Sequence, residues 1–202
     1  MATVSKLGSI DLFITITCNP SWPEVRAALP QGYYAADRPD IVNRVTHRLK
    51  LDSIIDDITS GCLGRQIGRI YVIEFQKRGL PHAHLLLILD EADKVRSPED
   101  IDAVVSAELP DPSTYPKLYV TVTECNMHGP CGLSSAANMQ PPCYKDGVCS
   151  KRFPKEFNPI TTIAGNGYPQ YAQRDDRRDV HVRGAVLDNR WVVPYNPYLS
   201  QK

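Results

Sequence analysis

The segment from Arg69 to Asp90 limits how this 202-residue chain can fold more than any other. It contains a β-branched and aromatic run, Tyr71 to Gln76, and a second apolar run, His82 to Leu89. Between the two runs lie Gly79 and Pro81, residues typical of turns. The pattern therefore predicts an antiparallel β-hairpin.

Two histidines share one face of the second predicted strand. Side chains alternate along a strand, so His82 and His84 point to the same side, and antiparallel pairing brings Glu74 or Gln76 opposite them. Two imidazoles and a carboxylate suit a divalent cation such as Mg or Mn with open coordination positions. We therefore predict a metal site at Glu74, His82 and His84, with Gln76 as a further candidate. The alternative is that the histidines are ordinary packing or surface residues.

The segments before the hairpin predict a strand and a long helix. Ile10 to Pro20 is typical of a strand, with Leu12, Ile14 and Ile16 on one face and Phe13, Thr15 and Thr17 on the other. A long amphipathic helix is predicted from Asp37 to about Ile58. Its apolar stripe consists of Ile41, Val45, Leu49, Ile54, Ile55 and Ile58. The order strand, helix, strand, strand indicates an α+β fold.

After the hairpin the local signals are mixed. Ser97-Pro-Glu-Asp100 is typical of a helix N-terminus, with the helix running to about Leu109. Residues 119–123 favour a strand by propensity. Val180, Val182 and residues 185–186 alternate as in a further hairpin.

A second group of metal-binding residue types follows in the chain: His128, Cys131, Cys143 and Cys149. Three thiolates and one imidazole form a closed tetrahedral zinc site of the structural type. The spacing is looser than in common zinc fingers, so a loop with incidental reduced thiols is the alternative. No signal peptide is visible, and the six cysteines read as thiols or ligands rather than as a disulfide framework.

The distribution of charge and the motifs present limit the functions that the chain can have. The formal net charge is +0, but residues 145–190 carry nine Lys or Arg against six Asp or Glu. Lys151, Arg152 and Lys155 beside the second cluster, with Lys77 and Arg78 at the hairpin turn, are candidate contacts to DNA phosphates. No apolar run is long enough to span a membrane, and no Gly-x4-Gly-Lys-Ser/Thr loop offers an ATP site.

The string from Tyr71 to Leu89 resembles the Rep-type nuclease domain of Helitron transposases, known as the Helitron helicase-like N-terminal domain. This domain belongs to the HUH rolling-circle endonucleases, named after two histidines around a hydrophobic residue. Phe13 to Pro23 is similar to the first Rep motif, which implies that Thr15 and Thr17 face the DNA. The segments around His128 and Cys143 also recur in the family, and the resemblance implies a helix over residues 119–123.

The resemblance implies an RRM-like antiparallel sheet with helices, to which a zinc-knuckle-like appendage is added. It further implies metal-dependent nicking and strand transfer of single-stranded DNA in the nucleus. The predicted division is a nuclease core at 1–115, a zinc-binding insert at 116–160 and a C-terminal extension at 161–202.

Nicking by this family also needs a tyrosine nucleophile. Tyr195 and Tyr198 are candidates, but flanking prolines disfavour a regular helix around them. Residues 188–198 resemble a stretch upstream of the tyrosine-bearing helix, so we expect the chain to end before that helix and to lack the family's helicase domain. The alternative function is a non-catalytic, zinc-containing DNA-binding remnant of a transposase.

Overall fold

A computed structural model describes residues 6–75, 80–132, 141–165 and 167–202, except for the side chains of residues 47 and 48. The chain forms two compact units, Met1–Val95 and Arg96–Lys202. The predicted insert 116–160 and extension 161–202 both fall within the second unit. The three-part division of the sequence stays a prediction.

The first unit combines a small sheet with helices. Its strands are β1 (Leu12–Thr17), β2 (Gln66–Phe75) and β3 (Pro81–Leu89). Its helices are α1 (Pro23–Ala28), α2 (Pro39–Val45), a π-helical turn (Thr46–Leu51) and α3 (Asp52–Thr59), with a 3-10 turn at Ala35–Asp37.

The β2–β3 hairpin forms as the alternating pattern predicts. The sheet order is β1-β3-β2 and both pairings are antiparallel, so the histidine strand is central. The pleat puts Ala83, Leu85 and Leu87 on the buried face. His82 and His84 consequently occupy the opposite, open face.

The helical segment packs against the buried face of the sheet. Thr46 donates its hydroxyl hydrogen to Cys18 Sγ at 3.0 Å, and Leu51 lines a small cavity with Ile16 and Ala83. Within the described part of the first unit these helices lie on the buried face, and the opposite face carries the half-buried His82 and His84 beside the exposed Thr15 and Thr17.

The predicted apolar stripe of this helix is wrong at one position. Leu49 is 54% exposed, whereas Leu51, Ile54 and Ile58 are buried. The π-helical turn Thr46–Leu51 explains the change, because each π turn takes up more residues than an α turn and shifts the following side chains around the axis. A strict helical period could not anticipate this shift.

The second unit contains short elements. These are α4 (Pro98–Val104), α5 (Pro116–Cys125), and hairpins β4–β5 (Tyr144–Lys145, Val148–Cys149), β6–β7 (Thr162–Ile163, Pro169–Gln170) and β8–β9 (Val180–Val182, Ala185–Leu187). Two 3-10 turns, Asn189–Trp191 and Leu199–Gln201, complete it.

Three local predictions can be compared with these elements. Residues 119–123 lie within α5, so the strand propensity is overruled and the helix implied by resemblance is present. Ser97 and Asp100 form the predicted capping box, but α4 ends at Val104 instead of near Leu109. The predicted hairpin at 180–187 is present.

The core of the second unit encloses a buried amide network. Asn189 is 0% exposed; its side chain accepts the backbone N–H of Leu109 at 2.7 Å and donates to the carbonyl of Arg174 at 2.8 Å. Gln173 donates to the carbonyl of Asn189 at 2.8 Å. Buried backbone groups need hydrogen-bond partners, and these two amides supply them. The bonds thereby link distant loops that pack around apolar side chains such as Trp191.

The overall architecture is mixed α+β with small antiparallel sheets and a His/Cys cluster. The RRM-like sheet of HUH nucleases stays a prediction.

Candidate metal centres

Glu74, His82 and His84 meet on the open face of the three-stranded sheet. Glu74 lies directly opposite His82 in the β2–β3 register, and its Oε2 is 3.4 Å from Nε2 of His84. The two imidazole rings are 6.4 Å apart between centroids. The hairpin therefore brings the predicted trio to one patch of the sheet.

The first strand completes this patch. Thr15 pairs with His84 and Thr17 with His82 in the β1–β3 register, which puts both hydroxyls on the open face. Thr15 Oγ1 lies 3.1 Å from Nδ1 of His84, a hydrogen bond that leaves Nε2 directed at Glu74. The Phe13 ring stacks on the His84 imidazole at 5.7 Å with an interplanar angle of 11°.

The electrostatics of the patch favour a neutral imidazole at His82. Partial burial lowers the pKa of His82, the neighbouring His84 lowers it further, and Glu74 opposes both. Neutral imidazole is the form that binds metal ions. The lowered pKa of His82 therefore favours the form that a metal ion would need.

The further metal-ligand candidate Gln76 and the predicted DNA contacts Lys77 and Arg78 lie outside the described residues.

The predicted zinc ligands His128, Cys131, Cys143 and Cys149 also come together, with their ligand atoms all within 4.8 Å of one another. His128 Nε2 is 3.6 Å from Cys143 Sγ and 3.3 Å from Cys149 Sγ. Tetrahedral zinc with its usual bond lengths places nitrogen and sulfur ligands about 3.6 Å apart. This cluster, called the Cys/His cluster below, could hold a metal ion.

Three separate segments position the Cys/His cluster. His128 follows α5, and its backbone N–H donates to the carbonyl of Trp191 at 2.8 Å. Cys143 precedes the β4–β5 hairpin and Cys149 ends it. Gly129 adopts φ +98°, and an added Cβ there would lie 2.7 Å from the Trp191 ring, so only glycine fits this close approach.

The thiols of the cluster differ in acidity. Burial raises the pKa of Cys131 to about 12 and also raises that of Cys143, and contacts with Cys149 add to both shifts. Burial acts in the same direction on Cys149, but hydrogen bonds from the backbone of Phe153 and Lys151 and from the other two thiols lower its pKa. Cys149 is therefore the thiol best prepared to be a thiolate.

An aromatic ring and a cation stack on the histidine of this cluster. The Phe153 ring lies 4.2 Å from the His128 ring at 16°, and Lys155 Nζ lies 4.7 Å from the centre of the Phe153 ring. Burial lowers the pKa of His128, and the nearby charges of Lys155, Arg183 and Lys151 add to the effect. The imidazole is consequently held in its neutral, metal-binding form.

The remaining cysteines stand apart from the four. Cys125 is exposed, Cys62 is half-buried, and Cys18 is buried in the first unit beside Thr46.

Comparison with known families bears on the first unit. Residues 1–87 match the Helitron helicase-like domain at N-terminus. This match confirms the predicted Helitron resemblance. The Helitron-like region includes β1, most of β3 and the residues Glu74, His82 and His84, whereas the Cys/His cluster lies beyond it.

No curated protein matches the chain. Within the described ranges, no helix is long and apolar enough to cross a membrane.

The two candidate tyrosines lie outside the Helitron-like region and differ in environment. Tyr195 is 7% exposed, and its hydroxyl donates to the carbonyl of Glu108 at 2.9 Å. Tyr198 is 43% exposed. Neither lies on an α-helix, and their role as nucleophiles stays a prediction.

Three parts of these sites escaped sequence analysis. The bond between Thr15 and His84 depends on strand register, although the alternation of Thr15 and Thr17 was a usable signal. The Phe153 stack and the donation from Arg183 to the Gly129 carbonyl at 2.8 Å join residues far apart in the chain. No local pattern announces such contacts.

Proposed function

We propose that the first unit is a Helitron-type Rep nuclease domain of the HUH class, with the RRM-like sheet of that class. In this proposal Glu74, His82 and His84 bind Mg or Mn and act on single-stranded DNA. The observation that carries it is the convergence of these three side chains on the open face of the central strand. The Helitron match over residues 1–87 supports a transposase-associated role.

The local geometry supports metal binding in two ways. The bond from Thr15 to Nδ1 of His84 fixes the imidazole so that Nε2 faces Glu74. Partners of this kind orient metal-binding histidines in proteins generally. Thr15 and Thr17, which share this face with the histidines, are exposed, as contact with a phosphodiester would require.

A divalent ion at this site would polarise the scissile phosphate and stabilise the charge that develops on it. The attack itself would come from a tyrosine hydroxyl, whose oxygen would form the new bond to phosphorus and release its proton. The bond to the 3′ oxygen of the cut strand would break, and that oxygen would take up a proton. Of the two candidates, Tyr198 has the more accessible hydroxyl, since that of Tyr195 is bound to Glu108 in the core.

The proposed DNA contacts come from both units. Thr15 and Thr17 line the open face beside the histidines, and Lys77 and Arg78 adjoin it along the chain. Lys151, Arg152 and Lys155 contribute charge next to the Cys/His cluster, for which we propose structural zinc. We further propose a nuclear location, and a helicase domain as the partner of this domain in longer family members.

The test is cleavage of single-stranded oligonucleotides with Mn²⁺ or Mg²⁺, with covalent adducts trapped and mapped by mass spectrometry. We expect cleavage by the wild-type chain and a loss of at least about 100-fold in His82→Ala and Glu74→Gln. His181→Ala is the matched control, because His181 is an exposed histidine of the second unit. Equal cleavage by His82→Ala and wild type would refute the proposal.

A second candidate function is a zinc-containing DNA-binding module that does not cut. The observations that favour it are the Cys/His cluster and the bonded hydroxyl of Tyr195. It predicts stoichiometric zinc and salt-sensitive oligonucleotide binding with no covalent adduct. Mapping of an adduct to any tyrosine of the chain would exclude it.

A further inference from the structure

Four cations lie near the Cys/His cluster. We call Lys151, Arg152, Lys155 and Arg183 the basic surface; Lys155 is half-buried and the other three are exposed. In the part of the chain that the structure describes, none of the four forms an ion pair with a carboxylate. Other arginines of this unit do, including Arg174, which pairs with Glu108 at 2.5 Å.

Two of these cations are attached to the metal-binding loops by side-chain contacts. Lys155 lies over Phe153, which stacks on His128, and Lys155 Nζ also donates to the carbonyl of Lys151 at 2.9 Å. Arg183 donates from Nη1 to the carbonyl of Gly129, the residue after His128, at 2.8 Å. The backbone N–H of Arg152 donates to the carbonyl of the ligand Cys149 at 2.8 Å.

These contacts join cations from two distant segments. Arg183 is at the tip of the β8–β9 hairpin, where Arg183 and Gly184 both have positive φ, 52° and 82°. The other three cations follow the β4–β5 hairpin. The meeting point of the two segments is the His128–Gly129 loop, which supplies the histidine of the Cys/His cluster.

The net positive charge of the basic surface favours an anionic ligand. A divalent ion held by three thiolates and a neutral imidazole carries one net negative charge, which four cations more than offset. Arginine and lysine without carboxylate partners match the oxygens of a phosphodiester chain, and the guanidinium of Arg183 keeps further N–H donors after its bond to Gly129.

We infer that Arg183 is a phosphate-contacting residue and that metal at the Cys/His cluster assembles the basic surface into one binding site for the backbone of single-stranded DNA. This inference rests on the proposed function for its choice of ligand. It adds Arg183 to the contacts already named and makes phosphate binding depend on the metal.

The experiment measures the binding of the full chain, loaded with zinc, to a labelled oligothymidylate of about 16 nucleotides over a range of salt concentrations. Each phosphate contact on a single strand contributes about 0.7 to the slope of log affinity against log salt. We expect Arg183→Gln to reduce the slope by about 0.7 and Arg183→Lys to retain it, because the latter keeps the charge. Arg177→Gln is the matched control, since Arg177 is exposed and has a similar φ of 58°.

Chelation of zinc tests whether phosphate binding depends on the metal. We expect the slope of the wild type to fall and the difference between wild type and Arg183→Gln to vanish. A zinc-loaded Arg183→Gln chain with the slope of the wild type would overturn the role of Arg183, and an unchanged slope after chelation would overturn the assembly by metal. The proposed nuclease function is tested separately by cleavage in His82→Ala, so either hypothesis can fail alone.

Discussion

The hydroxyl of Thr15 and Nδ1 of His84 lie 3.1 Å apart across two neighbouring strands. The bond sets which nitrogen of His84 is free, and Nε2 is the one that faces Glu74. A residue of the neighbouring strand β1 thus orients one of the two histidines of β3.

We expect Thr15→Val to weaken Mn²⁺ binding by roughly 10- to 100-fold, because removal of such orienting partners has this effect at metal sites. Titration calorimetry measures it, and Thr15→Ser should restore binding. Thr17→Val serves as the control, since Thr17 shares the same face opposite His82. Equal losses in the two valine variants would contradict an orienting role for Thr15.

At the Cys/His cluster, Cys143→Ser should abolish stoichiometric zinc and destabilise the second unit by at least about 4 kcal/mol, since the proposed structural zinc would link three segments there. Metal analysis and thermal unfolding measure the two effects. Cys125→Ser changes an exposed cysteine outside the four and should leave both unchanged. Full zinc content in Cys143→Ser would show that this thiol is not a ligand.

The buried phenol of Tyr195 should make stability depend on pH at the alkaline end. Burial raises the pKa of Tyr195 above its ordinary value of about 10. Its contribution is therefore complete below about pH 10 and is lost as the pH rises through the folded-state pKa, where the unfolded chain has already released the proton.

Tyr195→Phe should reduce this alkaline loss and cost about 1–2 kcal/mol at neutral pH, since the carbonyl of Glu108 loses its donor. Urea unfolding at a series of pH values measures both effects, with the exposed Tyr198→Phe as control. The same variant should retain any covalent adduct. Loss of the adduct without loss of stability would make Tyr195 the nucleophile.

The amide network of the second unit should be sensitive to truncation. Asn189→Ala leaves the N–H of Leu109 and the carbonyl of Arg174 without their bonds in a fully buried position. We expect a loss of roughly 2–4 kcal/mol in the free energy of unfolding. Gln201→Ala, which alters an exposed amide, should cost under about 0.5 kcal/mol.

Local sequence pattern was sufficient to predict features that depend on residues close together in the chain. The alternation in residues 71–89 predicted the hairpin and the shared face of His82 and His84, because the pleat of a strand repeats every two residues. The capping box at Ser97 follows from backbone groups within one turn. The Cys/His set was recognisable because its ligands are rare residue types whose chemistry limits their partners.

Tertiary structure decided what depends on packing between distant segments. The π-helical turn moved Leu49 to the surface, and α5 formed in spite of strand propensity, because Leu118 and Val122 are buried on one face of that helix. The Thr15–His84 bond required the register of β1 against β3, and the contact of Arg183 with Gly129 required two hairpins to meet. The sequence by itself determined which residues are candidate metal ligands. Only the fold decided which neighbours orient and surround them, since those contacts depend on tertiary packing rather than on local spacing.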